Sequence, residues 1–328
     1  MMKEEKLAWL ERTWLLELPI HIQEMAQGYN NGVQLVKTGD SKKFVLKTYR
    51  NVDTRRLDTE HALTLALAQI PLPFSAPAPC KTQHETTLEV FETENYSLWP
   101  FVKGEPARSG LAQAASVGEA VALLSQALAK VDVGDVALPP TYGDFSAIHP
   151  AVADPLDALV NLPRTKAEKA YLHTVISDVL ERTPRYYAQL PRQLIHGDFI
   201  RGNLLVQDDK VKAVLDFEFA TFDLRALDLA TALFSWSAGF RNDEMGWRII
   251  DKLGQRYVSK RNLSIDECEA LPDLIRLRLV VWLTYFIGRY MQAESTRDAI
   301  ITDALFIEKS FRWIDANAQR LVTTAKQW

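Results

Sequence analysis

The chain has 328 residues, of which 47% are hydrophobic and 24% charged, and 38 Lys and Arg face 42 Asp and Glu for a net charge of −4. That length can bury a large core and divide into two lobes, while the balanced charge argues against a generic nucleic-acid or anionic-membrane binder. Cys80 and Cys268 stand far apart without His or Cys ligand spacing, so free thiols are expected and neither a disulfide framework nor a zinc site is indicated.

The first residues, Met1-Met2-Lys3-Glu4-Glu5-Lys6, are charged and lack an apolar signal core. No run reaches membrane-spanning length, which makes the cytoplasm the expected location and leaves no membrane partner. Gly28-Tyr29-Asn30-Asn31-Gly32 then precedes an apolar stretch at 33–36, and Gly39-Asp40 separates it from a second stretch at 44–49, which reads as strand, turn, strand. Taken alone, Gly28 and Gly32 fit a Gly/Asn hairpin turn ahead of a loop whose amides approach phosphates, a preference that the motif at 196–203 reverses; the pattern is neither a Walker loop nor Gly-x-Gly-x-x-Gly. Lys47 ends the apolar run Phe44-Val45-Leu46, whereas Lys42 and Lys43 look solvated.

Asp53-Thr54 can cap a helix on which Leu57, Leu65 and Ala68 share a face and which Pro71 stops; Asp58 and Glu60 lie within it. Past the proline-rich connection at 71–79, residues 87–92 read as a strand, and a further apolar stretch at 96–102, containing Trp99 and Phe101, ends at Lys103-Gly104-Glu105-Pro106. Residues 111–132 and 164–190 read as helices, and 134–162, with Pro139-Pro140, Gly143, Pro150 and Pro155, as a long loop. Helical patterns return at 223–240, 243–260, 265–293 and 297–323, where Trp236, Trp282, Tyr285 and Arg289 read as packing residues or as contacts for a bound molecule.

Between these helices lies the densest chemistry: His196-Gly197-Asp198-Phe199-Ile200-Arg201-Gly202-Asn203, then Asp216-Phe217-Glu218. Residues 204–206 and 211–215 flank the turn Asp208-Asp209-Lys210 and read as two paired strands, so a hairpin return brings Asp198 and Asn203 to the same end as Asp216. Phosphoryl transfer needs a carboxylate that receives or orients the proton of an attacking hydroxyl, and hard oxygen ligands for Mg2+. Asp198 suits the first role; Asn203 and Asp216 suit the second. His196 reads as a loop-holding imidazole, with a general base as the competing role. Glu218 fits a metal ligand, a substrate contact or a solvent-facing residue, and Arg201, Asp223 and Arg225 fit acceptor contacts or surface pairs.

The His-Gly-Asp-x4-Asn and Asp-Phe-Glu motifs resemble those of the aminoglycoside phosphotransferase and choline kinase family, and the segments 215–220 and 223–230 resemble its homoserine kinase type II branch. The resemblance implies an α+β, protein-kinase-like fold: a sheet-and-helix N-lobe over 1–100 and a mostly helical C-lobe over 101–328, with ATP and Mg2+ between them. It further implies that Lys47 reaches the ATP phosphates and pairs with Glu60, with Asp58 as the competitor. Backbone groups near Trp99 and Phe101 would meet the adenine edge, and Asp228 would buttress the catalytic loop. The implied partner is a small hydroxylated acceptor, homoserine first, with aminoglycosides, choline, methylthioribose and sugars open; a non-catalytic nucleotide-binding pseudokinase is the alternative from another class.

Overall fold

The computed structural model describes residues 2–25, 31–49, 54–238 and 243–328. The N-terminal part runs α1 (Met2–Trp14), β1 (His21–Glu24), β2 (Asn31–Lys37), β3 (Lys43–Tyr49), α2 (Thr54–Leu67), β4 (Glu89–Phe91) and β5 (Glu94–Pro100). Its strands form one antiparallel sheet in the order β1-β2-β3-β5-β4. Because β5 inserts beside β3, Lys47 lies between Val33 on one side and Ser97 on the other. The helix α1 has no counterpart in the sequence reading; it packs Leu10 and Trp14 onto Val36, Leu46 and Leu98 as a separate small core. On α2 the buried positions Leu57, Glu60, Leu63, Thr64 and Leu67 follow a helical stripe, so the one carboxylate among them is carried inward by periodicity.

The remainder comprises β6 (Glu105–Pro106), α3 (Leu111–Leu128), α4 (Pro155–Ala158), α5 (Lys166–Gln189), β7 (Arg192–Ile195), β8 (Leu204–Gln207), β9 (Lys210–Val214), β10 (Thr221–Leu224), α6 (Leu227–Ser237), α7 (Glu244–Val258), α8 (Ile265–Met291) and α9 (Arg297–Ala325). Among the described residues α3 alone is long and apolar enough to cross a membrane, yet its apolar residues Ala114, Val117, Val121, Leu124 and Leu128 are buried in the main core. It packs tightly on α7: a Cβ on Gly118 would stand 2.1 Å from the Leu253 carbonyl oxygen. The helices α5 and α8 each open on a capping box, Thr165 with Glu168 and Ser264 with Glu267.

Two expectations change. The helix expected from residue 223 begins at Leu227, because Thr221–Leu224 is a strand paired antiparallel with β7. Asp223 holds that extended segment by accepting from the Tyr142 amide at 2.7 Å and the Tyr187 hydroxyl at 2.6 Å. The expected loop at 134–162 contains α4 and two 3-10 turns, Phe145–Ala147 and Leu159–Asn161.

Candidate active site

The hairpin β8–β9 pairs Leu204 with Val214 and thereby sets the loop before β8 beside the turn after β9. Two bonds fix that closure at Leu215, the residue before Asp216. Its amide donates to the Asn203 carbonyl at 2.8 Å, and its carbonyl accepts from His196 Nε2 at 3.0 Å. His196 is fully buried, and its Nδ1 accepts the Asp198 amide at 3.2 Å. Since an amide can only donate, Nδ1 is the acceptor and Nε2 carries the proton, which fixes a neutral tautomer with both nitrogens committed. His196 therefore holds the loop, with no nitrogen free to act as a base.

Gly197 adopts φ +79°, and a Cβ there would fall 2.2 Å from the Phe219 carbonyl oxygen and 2.3 Å from the Tyr142 hydroxyl. The chain can make this turn only with glycine. Beneath it, Asp228 at the start of α6 accepts the His196 amide at 2.8 Å and the Gly197 amide at 2.9 Å. Burial pushes the Asp228 carboxyl above its usual range, against the pull of the two amide hydrogen bonds it accepts.

Asp198 accepts from Asn203 Nδ2 on Oδ2 at 2.9 Å, and Nδ2 also donates to the Asp198 carbonyl at 3.0 Å. That engagement leaves the Asn203 amide oxygen as the atom that could hold a cation. Asp216 sits at φ 65°, a left-handed conformation that Asp tolerates better than most residues, and its carboxylate Oδ1 accepts from Lys47 Nζ at 3.3 Å. Lys47 also pairs with Glu60 Oε1 at 2.9 Å, and its ammonium stands 4.8 Å from the Trp99 ring centre. Burial alone would push the Lys47 pKa down, but Glu60 and Asp216 outweigh it and hold the ammonium well above the usual lysine range. Burial leaves the Glu60 carboxyl raised despite the pull of Lys47. Given the direct contact and the second carboxylate, the lysine stays cationic. Asp58 is exposed on α2 and makes no part of this group.

Two residues in this cluster were not identified from sequence. Arg278 on α8 donates from its Nη2 to Asp198 Oδ1 at 2.6 Å, with its side chain 4% exposed. Its signal was positional: Arg278 lies on the buried stripe of α8 with Leu271, Leu274 and Val281, where an apolar residue is expected. Tyr142, from the segment read as a loop, donates its hydroxyl to the Phe219 carbonyl at 2.9 Å, and the Gly197 carbonyl lies 3.2 Å from the same oxygen. Burial pushes its phenol upward, so it remains a neutral donor.

Residues 21–252 match the model of the phosphotransferase enzyme family, a span that contains Lys47, Glu60, Asp198, Asn203 and Asp216. The chain belongs to that family. A homoserine kinase of Azorhizobium caulinodans is 28% identical over 272 residues, covering 79% of this chain and 80% of the relative. Another, from Rhodopseudomonas palustris, is 27% identical over 276 residues, covering 83% and 80%. Among solved structures, a microcompartment-associated aminopropanol kinase superposes with a TM-score of 0.74 over 98% of both chains at 17% identity. An amicoumacin kinase, in complex with AMP-PNP, Ca2+ and its antibiotic, gives 0.72 over 95% of this chain and 94% of that one at 12% identity. These establish the protein-kinase-like fold and a phosphotransferase acting on a hydroxyl group.

Within this phosphotransferase the other expected site residues divide sharply. Gly32 lies on β2 opposite Thr48, and Gly28 falls outside the described residues. The Trp99 indole is turned inward and donates to Ser97 Oγ at 2.6 Å, and the Phe101 amide donates to the Lys43 carbonyl at 3.2 Å. Those two groups are committed to the fold, while strand alternation turns the Pro100 carbonyl away from β3. Asp223 is buried in the strand contacts described above, and Arg225 forms a two-pronged pair with Glu267 at 2.6 and 2.5 Å, the pairing alternative given for these charges. Arg201 is exposed and donates to Ser109 Oγ at 2.8 Å, and Glu218 is half-buried beside Asp216. Trp236 is fully buried in the core. By contrast Trp282, Tyr285 and Arg289 continue the stripe of α8 that begins at Arg278, running about 16 Å along the helix at 1.5 Å per residue.

Proposed function

We propose that the protein is an ATP- and Mg2+-dependent kinase that transfers the γ-phosphoryl group to the hydroxyl of a small metabolite, an amino alcohol of the homoserine type. The observation that carries this reading is the convergence of Asp198, held by Asn203, with Asp216 and the Lys47–Glu60 pair at one end of the β8–β9 hairpin. The homoserine kinase relatives, which match over most of their length, support the choice of acceptor.

In this mechanism Asp198 orients the acceptor hydroxyl and receives its proton as the oxygen attacks phosphorus. Lys47, kept in place and charged by Glu60, holds the phosphates of ATP. The oxygens of Asn203 and Asp216 form a hard donor set with room for phosphate and water ligands, the pattern that suits Mg2+. When bound, Mg2+ neutralises charge on the phosphates. His196 and Asp228 keep the loop amides in register, and the peptide linker at 99–101, with the Pro100 carbonyl turned off the sheet, offers the backbone edge for adenine. Most of the rate gain in such a site comes from position and fixed charge.

The test is ADP release measured across homoserine, other amino alcohols, choline, sugars and aminoglycosides, with Asp198→Asn alongside the native protein. Turnover greatest with a homoserine-type acceptor, reduced roughly 10²–10⁴-fold in Asp198→Asn, is the expected result. Full activity in the variant would overturn the role of Asp198, and binding of MgATP without turnover on any acceptor would favour a nucleotide-binding scaffold.

A further inference from the structure

We infer that Arg278 is a positioning residue that fixes the plane of the Asp198 carboxylate; the inference rests on the reading of Asp198 as the group that receives the acceptor's proton. The two ends of that carboxylate are gripped from different parts of the chain. Oδ2 accepts from Asn203 Nδ2 at 2.9 Å, five residues away, and Oδ1 accepts from Arg278 Nη2 at 2.6 Å, from a helix 80 residues away. Rotation about the last side-chain bond of Asp is otherwise broad, and a single hold on one oxygen leaves it so. Two holds on two oxygens fix the plane, and each oxygen keeps a further lone pair for a hydroxyl.

The surroundings of the guanidinium fit this role better than a tether for the fold. Its centre lies 4.7 Å from the Trp282 ring and 5.1 Å from the Tyr142 ring. Among the described residues its buried Nε has no hydrogen-bond partner. A charge buried this incompletely satisfied loses hydration that an apolar side chain at the same helix position would never lose, so stability alone does not favour arginine here. Tyr142 adds a link: the ring that flanks Arg278 belongs to the side chain whose hydroxyl bonds the Phe219 carbonyl beyond Asp216 and approaches the Gly197 carbonyl before Asp198. The guanidinium is thus registered against both loops that bear the reacting groups.

The experiment compares Arg278→Met, Arg278→Lys and Arg278→Ala with the native protein and Asp198→Asn, using steady-state ADP release on the best acceptor and thermal unfolding to correct for folded fraction. Arg278→Met is expected to lower kcat roughly 100-fold while KM for MgATP moves by less than about threefold, the signature of misplacement and not of lost nucleotide binding. Arg278→Lys should recover part of that loss, and millimolar methylguanidinium should restore part of the Arg278→Ala rate saturably. If Arg278→Met keeps kcat within about threefold of the native value, or if its loss only follows the unfolded fraction and neither Lys nor methylguanidinium recovers it, Arg278 is not positioning Asp198. A native protein inactive on every acceptor, or an Asp198→Asn variant as active as the native one, removes the underlying reading and the inference with it; an inactive Asp198→Asn beside a fully active Arg278→Met removes only the inference.

Discussion

Replacing Asp228 with Asn tests the support beneath the catalytic loop with almost no change of shape. Native Asp228 accepts two loop amides, His196 on Oδ2 at 2.8 Å and Gly197 on Oδ1 at 2.9 Å, while 2% exposed. Asparagine keeps one acceptor and turns an NH2 group toward the second amide, so one charge-assisted bond worth about 1.5–3 kcal/mol is lost and two buried donors face each other at a further cost of about 1–3 kcal/mol. Burial holds the Asp228 carboxyl above its usual range, so removing the charge also relieves desolvation and offsets part of the loss. A net destabilisation of roughly 2–3 kcal/mol remains, which at this chain length lowers Tm by about 3–4 °C. Because the disturbed amides belong to the residues on the N-terminal side of Asp198, kcat should fall by roughly 100-fold while KM for MgATP changes little. Scanning calorimetry and steady-state ADP release measure the two effects. A variant with Tm within about 1 °C and kcat within about threefold of native would refute the argument that Asp228 holds the loop.

Acid should weaken the N-terminal part through His61, whose pKa burial and nearby Lys47 push down to about 3. The unfolded imidazole binds a proton below about 6.5 and the folded one does not, so stability is complete above that pH and is lost as pH falls toward about 3, with roughly 2 kcal/mol gone by pH 5. Urea unfolding at pH 7 and 5 should show this loss in the native protein and not in His61→Phe; parallel losses in both would exclude His61 as the cause. Gly197→Ala forces a Cβ to within 2.2 Å of the Phe219 carbonyl oxygen at a φ that costs other residues about 1–2 kcal/mol. It should lower kcat by roughly 100-fold in steady-state assays of protein that circular dichroism shows to be folded, and a rate near native would show that the turn can relax without moving Asp198.

What the sequence disclosed and what it withheld follow from the range over which each group is positioned. Asp198, Asn203 and Asp216 are set by a loop and one short hairpin, and turn residues between two apolar runs report such geometry directly. Glu60 was named through the family resemblance with Asp58 as its competitor, and helical periodicity is the reason that Glu60 turns inward while Asp58 stays exposed. Asp223 and Arg225 illustrate the reverse: close to the motif in sequence, they point into β10 contacts and toward Glu267, because a strand and not a helix begins there. Arg278 and Tyr142 reach the loop from α8 and from the proline-rich segment, and no local pattern states that these elements meet.

The division has a physical meaning for the site. In the proposed mechanism the motif carries the atoms that react, while the contacts that hold it come from outside: Asp228 under the preceding amides, Arg278 on one Asp198 carboxylate oxygen, and Tyr142 between the two loops. A short motif can therefore be intact while the carboxylate it contains is misdirected. The face of α8 that begins with Arg278 continues through Trp282 and Tyr285 to Arg289, so the same helix that holds Asp198 also presents side chains for about 16 Å beyond it. A shift of α8 would move the hold on the carboxylate and that face together, which in the proposed mechanism ties the geometry of proton removal to the placement of Trp282, Tyr285 and Arg289.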